Sequence, residues 1–276
     1  MMRTHQSGFT LVELMIVSLL TAVTLAGVYQ TLMVQEESYA AASTMIGDQE
    51  SVRTALGILE SELREIGSIG GADIGGTDIS AASAGSVTFR AQRKTAFLCK
   101  VSRAEKWAVV WTLGDPFEAG DPILLFIDGD SIRYADDKWD TTVVSNASAE
   151  TDTECSAYWP GVPLQLLKLD NQDLTGVAVG APIRSYERVT YSVYDFGPLG
   201  WGLGRQRAGD ERPSYLVGGL APPGEGLELT YFTPTGAETT DPTQIARMRI
   251  TVRTEPQGNT DVQPTEMTTS LYLRNN

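Results

Sequence analysis

The sequence predicts an α+β fold, with one long N-terminal helix packed on an antiparallel β-sheet. Three observations lead there. Residues 9–66 contain no proline (the first in the chain is Pro116) and pass from a long, largely apolar run into an amphipathic one. Beyond residue 86, short runs rich in Val, Ile, Thr and Tyr alternate apolar and polar positions between Gly- and Pro-bearing turns. Within one such run Met248, Ile250 and Val252 point one way and Arg247, Arg249, Thr251 and Arg253 the other. That is the pattern of a sheet with one buried and one wet face.

The helix begins behind eight residues, 1–8, that carry Arg3, His5 and no apolar core. From Phe9 to Val34 the only charge is Glu13, and the next is Glu36. About 20 apolar residues suffice to cross a bilayer core in helix, so 9–34 can span. A carboxylate near the start of such a helix is costly in lipid and marks function. In a secretory signal the apolar region precedes the cleavage point; here a cut after Gly8 would leave it on the mature protein. Residues 35–66 turn polar, yet Met45, Val52, Leu56, Leu59, Leu63 and Ile66 trace one face at helical spacing. The Gly67, Gly70 and Gly71 cluster stops the helix. As one helix 9–66 would reach about 87 Å; two separate helices would satisfy the same pattern.

The run Gly8-Phe9-Thr10-Leu11-Val12-Glu13 followed by Leu14-Met15-Ile16-Val17 resembles a type IV prepilin processing site. The resemblance implies a leader, 1–8, removed after Gly8 by prepilin peptidase, leaving Phe9 as the N-methylated terminus. It implies a type IV pilin-like fold, with 9–34 first a single-pass inner-membrane anchor and then part of a filament core. It also implies that Glu13 attracts the terminal amine of a neighbouring subunit and sets its register, since a low-dielectric carboxylate recovers much of its desolvation cost beside a cation. An ordinary signal anchor would show the same apolar run without this motif.

Composition narrows the chemistry. The net charge is −14, and losing Arg3 with the leader takes it to −15. Such a surface repels phosphate backbones, so no nucleic-acid partner is expected; Arg205, Arg207 and Arg212 form the one basic cluster and read as a solvated or salt-bridged face. His5 is the only histidine, so the mature chain would have none for a Ser-His-Asp or Cys-His site or a His-bound zinc. No GxSxG, SxxK, P-loop or HExxH motif occurs. The chain is expected to be no enzyme and to hold no cofactor or metal.

Residues 67–85 read as a mobile Gly/Ala/Ser loop before a β-rich domain over 67–276. Strands are expected at 87–91, 123–127 and 132–134, the last two joined through Asp128-Gly129-Asp130. Further strands are expected at 189–194, 202–207, 215–217, 227–232, 246–253 and 267–273, with the 45–66 stripe as cover. Residues 136–161 look irregular. Asp136, Asp137 and Asp140 lack the DxDxDG spacing and distal Glu of a calcium loop and read as a solvated acidic loop. Cys99 and Cys155 are the two cysteines. Outside the cytoplasm they can form one disulfide closing about 57 residues, worth on the order of 4 kcal/mol in the chain-entropy model; two free buried thiols are the alternative.

The segments Val189-Thr190-Tyr191, Gly202-Leu203-Gly204-Arg205, Leu227 to Phe232, Met248 to Val252 and Leu271-Tyr272-Leu273-Arg274-Asn275 are together similar to PilW-type minor pilins, themselves similar to J-type pseudopilins of type II secretion. The helix Ala55 to Gly67 also fits, with Glu62 where aspartate is more usual. The resemblance implies a low-copy minor pilin that helps initiate or cap a type IV pilus. Its partners would be other minor and major pilins and the inner-membrane assembly platform, its globular domain periplasmic, and its final place the pilus tip. A J-type pseudopilin is the rival. An insert at about 95–185 matches neither, and it holds Trp107, Trp111, Trp139, Tyr158 and Trp159. Those aromatics leave open an adhesin or ligand-binding module carried on a pilin stalk.

Overall fold

Helix α1 runs unbroken over Leu11–Leu63, 53 residues, in a computed structural model that describes residues 10–64, 66, 78–128, 138–170, 174–255 and 263–273. Gly27, Gly47 and Gly57 lie inside it without interrupting it. Its two halves live in different surroundings. All residues from 11 to 40 are exposed, whereas Asp48, Val52, Ala55, Leu56, Leu59 and Leu63 are buried at successive turns. Ile66 is buried too, but Met45 is half exposed and stands outside the packed stripe. The helix ends in an αR residue, Arg64, which forms an i,i+4 ion pair with Glu60.

Among the described residues twelve strands follow: β1 (Ile79–Ala82), β2 (Ser86–Ser102), β3 (Trp107–Leu113), β4 (Pro122–Ile127), β5 (Lys138–Glu150), then a short helix α2 (Thr153–Tyr158), β6 (Leu164–Leu169), β7 (Pro182–Asp195), β8 (Trp201–Arg207), β9 (Ser214–Gly218), β10 (Leu227–Phe232), β11 (Arg247–Arg253) and β12 (Glu266–Tyr272). Their pairing overturns the expected helix-on-sheet architecture. The antiparallel order β2-β3-β6-β5-β4-β7 returns to β2 through a direct β2–β7 ladder, closing a six-stranded barrel. Closure removes the free edges an open sheet would expose.

The physical cause lies in two long strands. β2 has 17 residues and β7 has 14, and they pair from Ser86↔Ser192 to Phe97↔Pro182. A bulge between Gln92 and Thr95 bends the ladder there. On one side of the bend β2 and β7 enter the barrel; on the other they are flanked by β1 and by β8-β9. The second sheet, β10-β11-β12, is separate and three-stranded.

Two cores result. The barrel interior is filled by Ala96, Leu98, Val110, Ile123, Leu125, Leu167 and Ile183 among others. The other core joins α1 to the open end of the β2–β7 ladder and to the three-stranded sheet, through Val52, Leu59, Leu63, Phe89, Tyr191, Met248 and Ile250. Phe89 and Tyr191 stack there with ring centroids 5.8 Å apart. Arg93 on β2 ties this region to the helix through Glu62, 3.1 Å away.

Two local expectations are corrected. Part of the anticipated 67–85 loop, Ile79–Ala82, is strand β1, because Ile79 is fully buried against Phe89. The anticipated irregular segment 136–161 contains β5 and α2, whose polar faces look outward and so hide the period. The expected strand 132–134, the turn residues Gly129 and Asp130, and Asp136 and Asp137 lie outside the described residues; Asp140 is in β5.

Candidate functional site

The N-terminal turn of α1 is built by Thr10 and Glu13. Thr10 is the N-cap; its Oγ1 accepts from Glu13 N at 3.3 Å, and Glu13 Oε2 accepts from Thr10 N and Oγ1, each at 2.9 Å. This reciprocal capping box holds the carboxylate over the helix start. Gly8 and Phe9 themselves lie outside the described residues.

From Leu11 onward the helix offers a continuous apolar exterior, with a mean hydropathy of 2.2 over an 18-residue window of which none is buried. Its hydroxyls do not spoil that surface. Ser18 Oγ donates to Met15 O at 2.9 Å, Thr21 Oγ1 to Val17 O at 2.7 Å, Thr24 Oγ1 to Leu20 O at 2.8 Å and Thr31 Oγ1 to Gly27 O at 2.9 Å. A segment whose side-chain donors are satisfied within its own helix can enter lipid or pack on like helices without an unmet polar group.

A second feature lies on the outer wall of the barrel. Cys99 on β2 and Cys155 on α2 are joined in a disulfide, with Cα atoms 5.9 Å apart. It pins α2 over a small apolar cluster of Val109, Trp111 and Leu164. Asp152 caps α2, its Oδ1 accepting from Glu154 N at 3.0 Å and Cys155 N at 2.9 Å. Lys100 Nζ reaches both Asp152 Oδ2 and Glu154 Oε2 at 2.7 Å. Those bonds, the one to Lys100 foremost, hold the Asp152 carboxyl below its usual range and the Lys100 ammonium above its own. Between α2 and β3 opens a cleft of about 520 Å³ lined in part by Lys100, Trp107, Trp111, Glu154 and Tyr158.

Of Trp107, Trp111, Trp139, Tyr158 and Trp159, four thus gather on this wall, with the Trp159 ring 6.1 Å from Trp111. Trp139 does not join them; it packs edge-on to Phe126 at 5.4 Å and under Arg184 at 5.0 Å. Arg207 pairs with Glu187 at 3.2 Å. Among the described residues no three His, Cys, Asp or Glu side chains converge as metal ligands. Sequence reasoning missed Lys100, Asp152 and Glu154, because Lys100 stands more than 50 positions ahead of the two carboxylates and no motif links them.

A family model described as the prokaryotic N-terminal methylation motif matches residues 3–29. No curated protein and no solved structure matches the chain. The chain therefore carries a type IV prepilin-like signal, ahead of an apolar helix, as pilin-like and pseudopilin-like proteins of pilus and secretion systems do.

Proposed function

We propose that the protein is a minor pilin, a non-enzymatic subunit that helps initiate or cap a type IV pilus. The observation that carries this is the bare first half of α1, exposed from residue 11 to 40 behind a prepilin-like signal. The apolar part of that stretch, 11–34, has no partner among the described residues and needs lipid or neighbouring helices. In this reading prepilin peptidase cuts after Gly8, Phe9 becomes the methylated terminus, and the helix waits in the inner membrane with the β-rich part in the periplasm. Entry into the filament then brings Glu13 to the amine of an adjacent subunit, exchanging its bonds to Thr10 for an intersubunit pair. Other minor and major pilins and the assembly platform are the partners.

The test is intact-mass and N-terminal analysis of the chain expressed with and without prepilin peptidase, followed by mass spectrometry of sheared pili. A chain beginning at N-methyl-Phe9, present in pili in small amounts relative to the major subunit, is expected. Gly8→Ala should leave Met1 in place. Normal processing of that variant would sink the assignment of the cleavage site. Absence from pili, with a secretion defect on deletion, would make the protein a J-type pseudopilin instead.

A further inference from the structure

The cleft on the barrel wall plays no part in helix-driven assembly, yet its chemistry is organised. It is lined by Trp107, Trp111 and Tyr158, the last 76% exposed although it ends a helix pinned by a disulfide. Both indole N–H groups are already committed. Trp111 Nε1 donates to Cys155 O at 3.0 Å and Trp107 Nε1 to Glu105 Oε2 at 2.6 Å. What the two indoles offer a visitor is therefore apolar carbon and no spare N–H donor.

The polar edge of the cleft is equally specific. Lys100 spends two of its three N–H bonds on Asp152 and Glu154, and Asp152 accepts from Lys100 and two backbone amides. One ammonium hydrogen and the second carboxylate oxygen of Glu154 remain for a ligand, a donor and an acceptor side by side. The volume, about 520 Å³, is in the range of small-molecule sites.

We infer that this cleft binds a neutral saccharide unit. A pyranose presents an apolar C–H face to an aromatic ring, and its adjacent hydroxyls each accept and donate. One accepts from Lys100, its neighbour donates to Glu154, and the ring face lies on Trp107 and Tyr158. An anionic ligand is disfavoured, because Glu105, Asp152 and Glu154 outnumber Lys100 here and the whole chain carries −14. A cation is disfavoured as well: the two carboxylates nearest the cleft are engaged by Lys100, whose own charge stands at its edge. The site is preorganised, with Trp159 braced between Trp111 and Phe97 at 6.1 and 6.3 Å. The Cys99–Cys155 bond fixes Glu154 and Tyr158 relative to Lys100. This binding activity goes beyond the assembly role and does not depend on it.

The experiment uses the full chain in lipid nanodiscs, since sugar-headed detergents would compete. Biotinylated protein, clustered on streptavidin for avidity, is screened on an array of neutral, sialylated and sulfated glycans. Retained glycans are then titrated as free saccharides by tryptophan fluorescence. Neutral glycans should be retained, Trp107→Ala and Tyr158→Ala should each weaken binding by tenfold or more, and Tyr158→Phe, which keeps the ring, should bind within threefold of the parent. Folding of every variant is checked by near-ultraviolet circular dichroism and by absence of free thiol. The inference is overturned by an array blank for neutral glycans, by retention of acidic glycans alone, or by neutral binding that Tyr158→Ala leaves within twofold.

Discussion

Replacing both Cys99 and Cys155 by alanine removes the covalent link between β2 and α2 while placing no hydroxyl in the apolar cluster beneath it. The two positions are 56 apart in sequence. For a loop of that length the chain-entropy model gives about 4 kcal/mol of stabilisation, gained by restricting the unfolded chain. The bond encloses β3, β4 and β5, half of the barrel strands, but not its closure: β2 remains hydrogen-bonded to β3 and to β7. The variant should thus fold to the same barrel and melt earlier. At about 2–4 °C per kcal/mol for a domain of this size, the expected drop is roughly 8–16 °C. The assay is thermal unfolding in nanodiscs followed by tryptophan emission. All five tryptophans lie outside α1, so the signal reports the β-rich part alone. A drop below about 3 °C would refute the loop argument, since the unfolded chain would then gain little freedom on losing the link. A barrel that fails to form without the bond would refute it from the other side, by showing that ladder closure depends on the disulfide.

Leu59→Ala, at a fully buried position of α1, should cost about 2–5 kcal/mol in the same melt, whereas Leu20→Ala, wholly on the exposed stretch, should leave the melt unchanged. Gly204→Ala should destabilise by about 1–3 kcal/mol, because a Cβ there would sit 2.6 Å from Tyr194 Cδ2 and 2.9 Å from Phe196 Cζ. Asp48 is buried on α1 with Thr254 as its hydrogen-bond donor, and burial raises its pKa above the usual carboxylate value despite that bond. A raised carboxylate binds its proton more tightly folded than unfolded, so stability falls as pH rises from the unfolded value through the folded one. Asp48→Asn should therefore raise the melting temperature at pH 7 and lose that advantage near pH 3.5; an equal gain at both pH values would count against it. Glu13→Val should leave leader removal intact and lower incorporation into pili at least severalfold, read by immunoblot of sheared fractions; unchanged incorporation would remove the pairing role.

The helix and the C-terminal strands were legible because their patterns are local. Val52, Leu59 and Leu63 recur at helical spacing, and Met248, Ile250 and Val252 at strand spacing, and each set is buried where its period placed it. The barrel was not, because closure is a statement about distant pairs such as Ala96 with Ile183 and Val109 with Leu166. β3, with a buried run from Ala108 to Thr112, lies between the barrel interior and the disulfide cluster, so it lacks the alternation that marks a half-wet strand. β5 fails in the opposite way, its polar exterior outnumbering one deep anchor, Val144. At the sites the same rule holds: Glu13 stood out as a lone charge in an apolar run, while Lys100 acquires meaning only from carboxylates more than 50 residues on.

The unaccompanied stretch of α1 sets an altitude. Residues 11–47, all ahead of the first deeply buried position, amount to about 55 Å of helix. Crossing the hydrocarbon takes about 30 Å of that. Some 25 Å is left as a stem, and beyond a headgroup layer of about 5–8 Å that is roughly two Debye lengths at physiological salt. In a bilayer, an acidic head carried at that distance would feel the charge of the lipid surface only weakly.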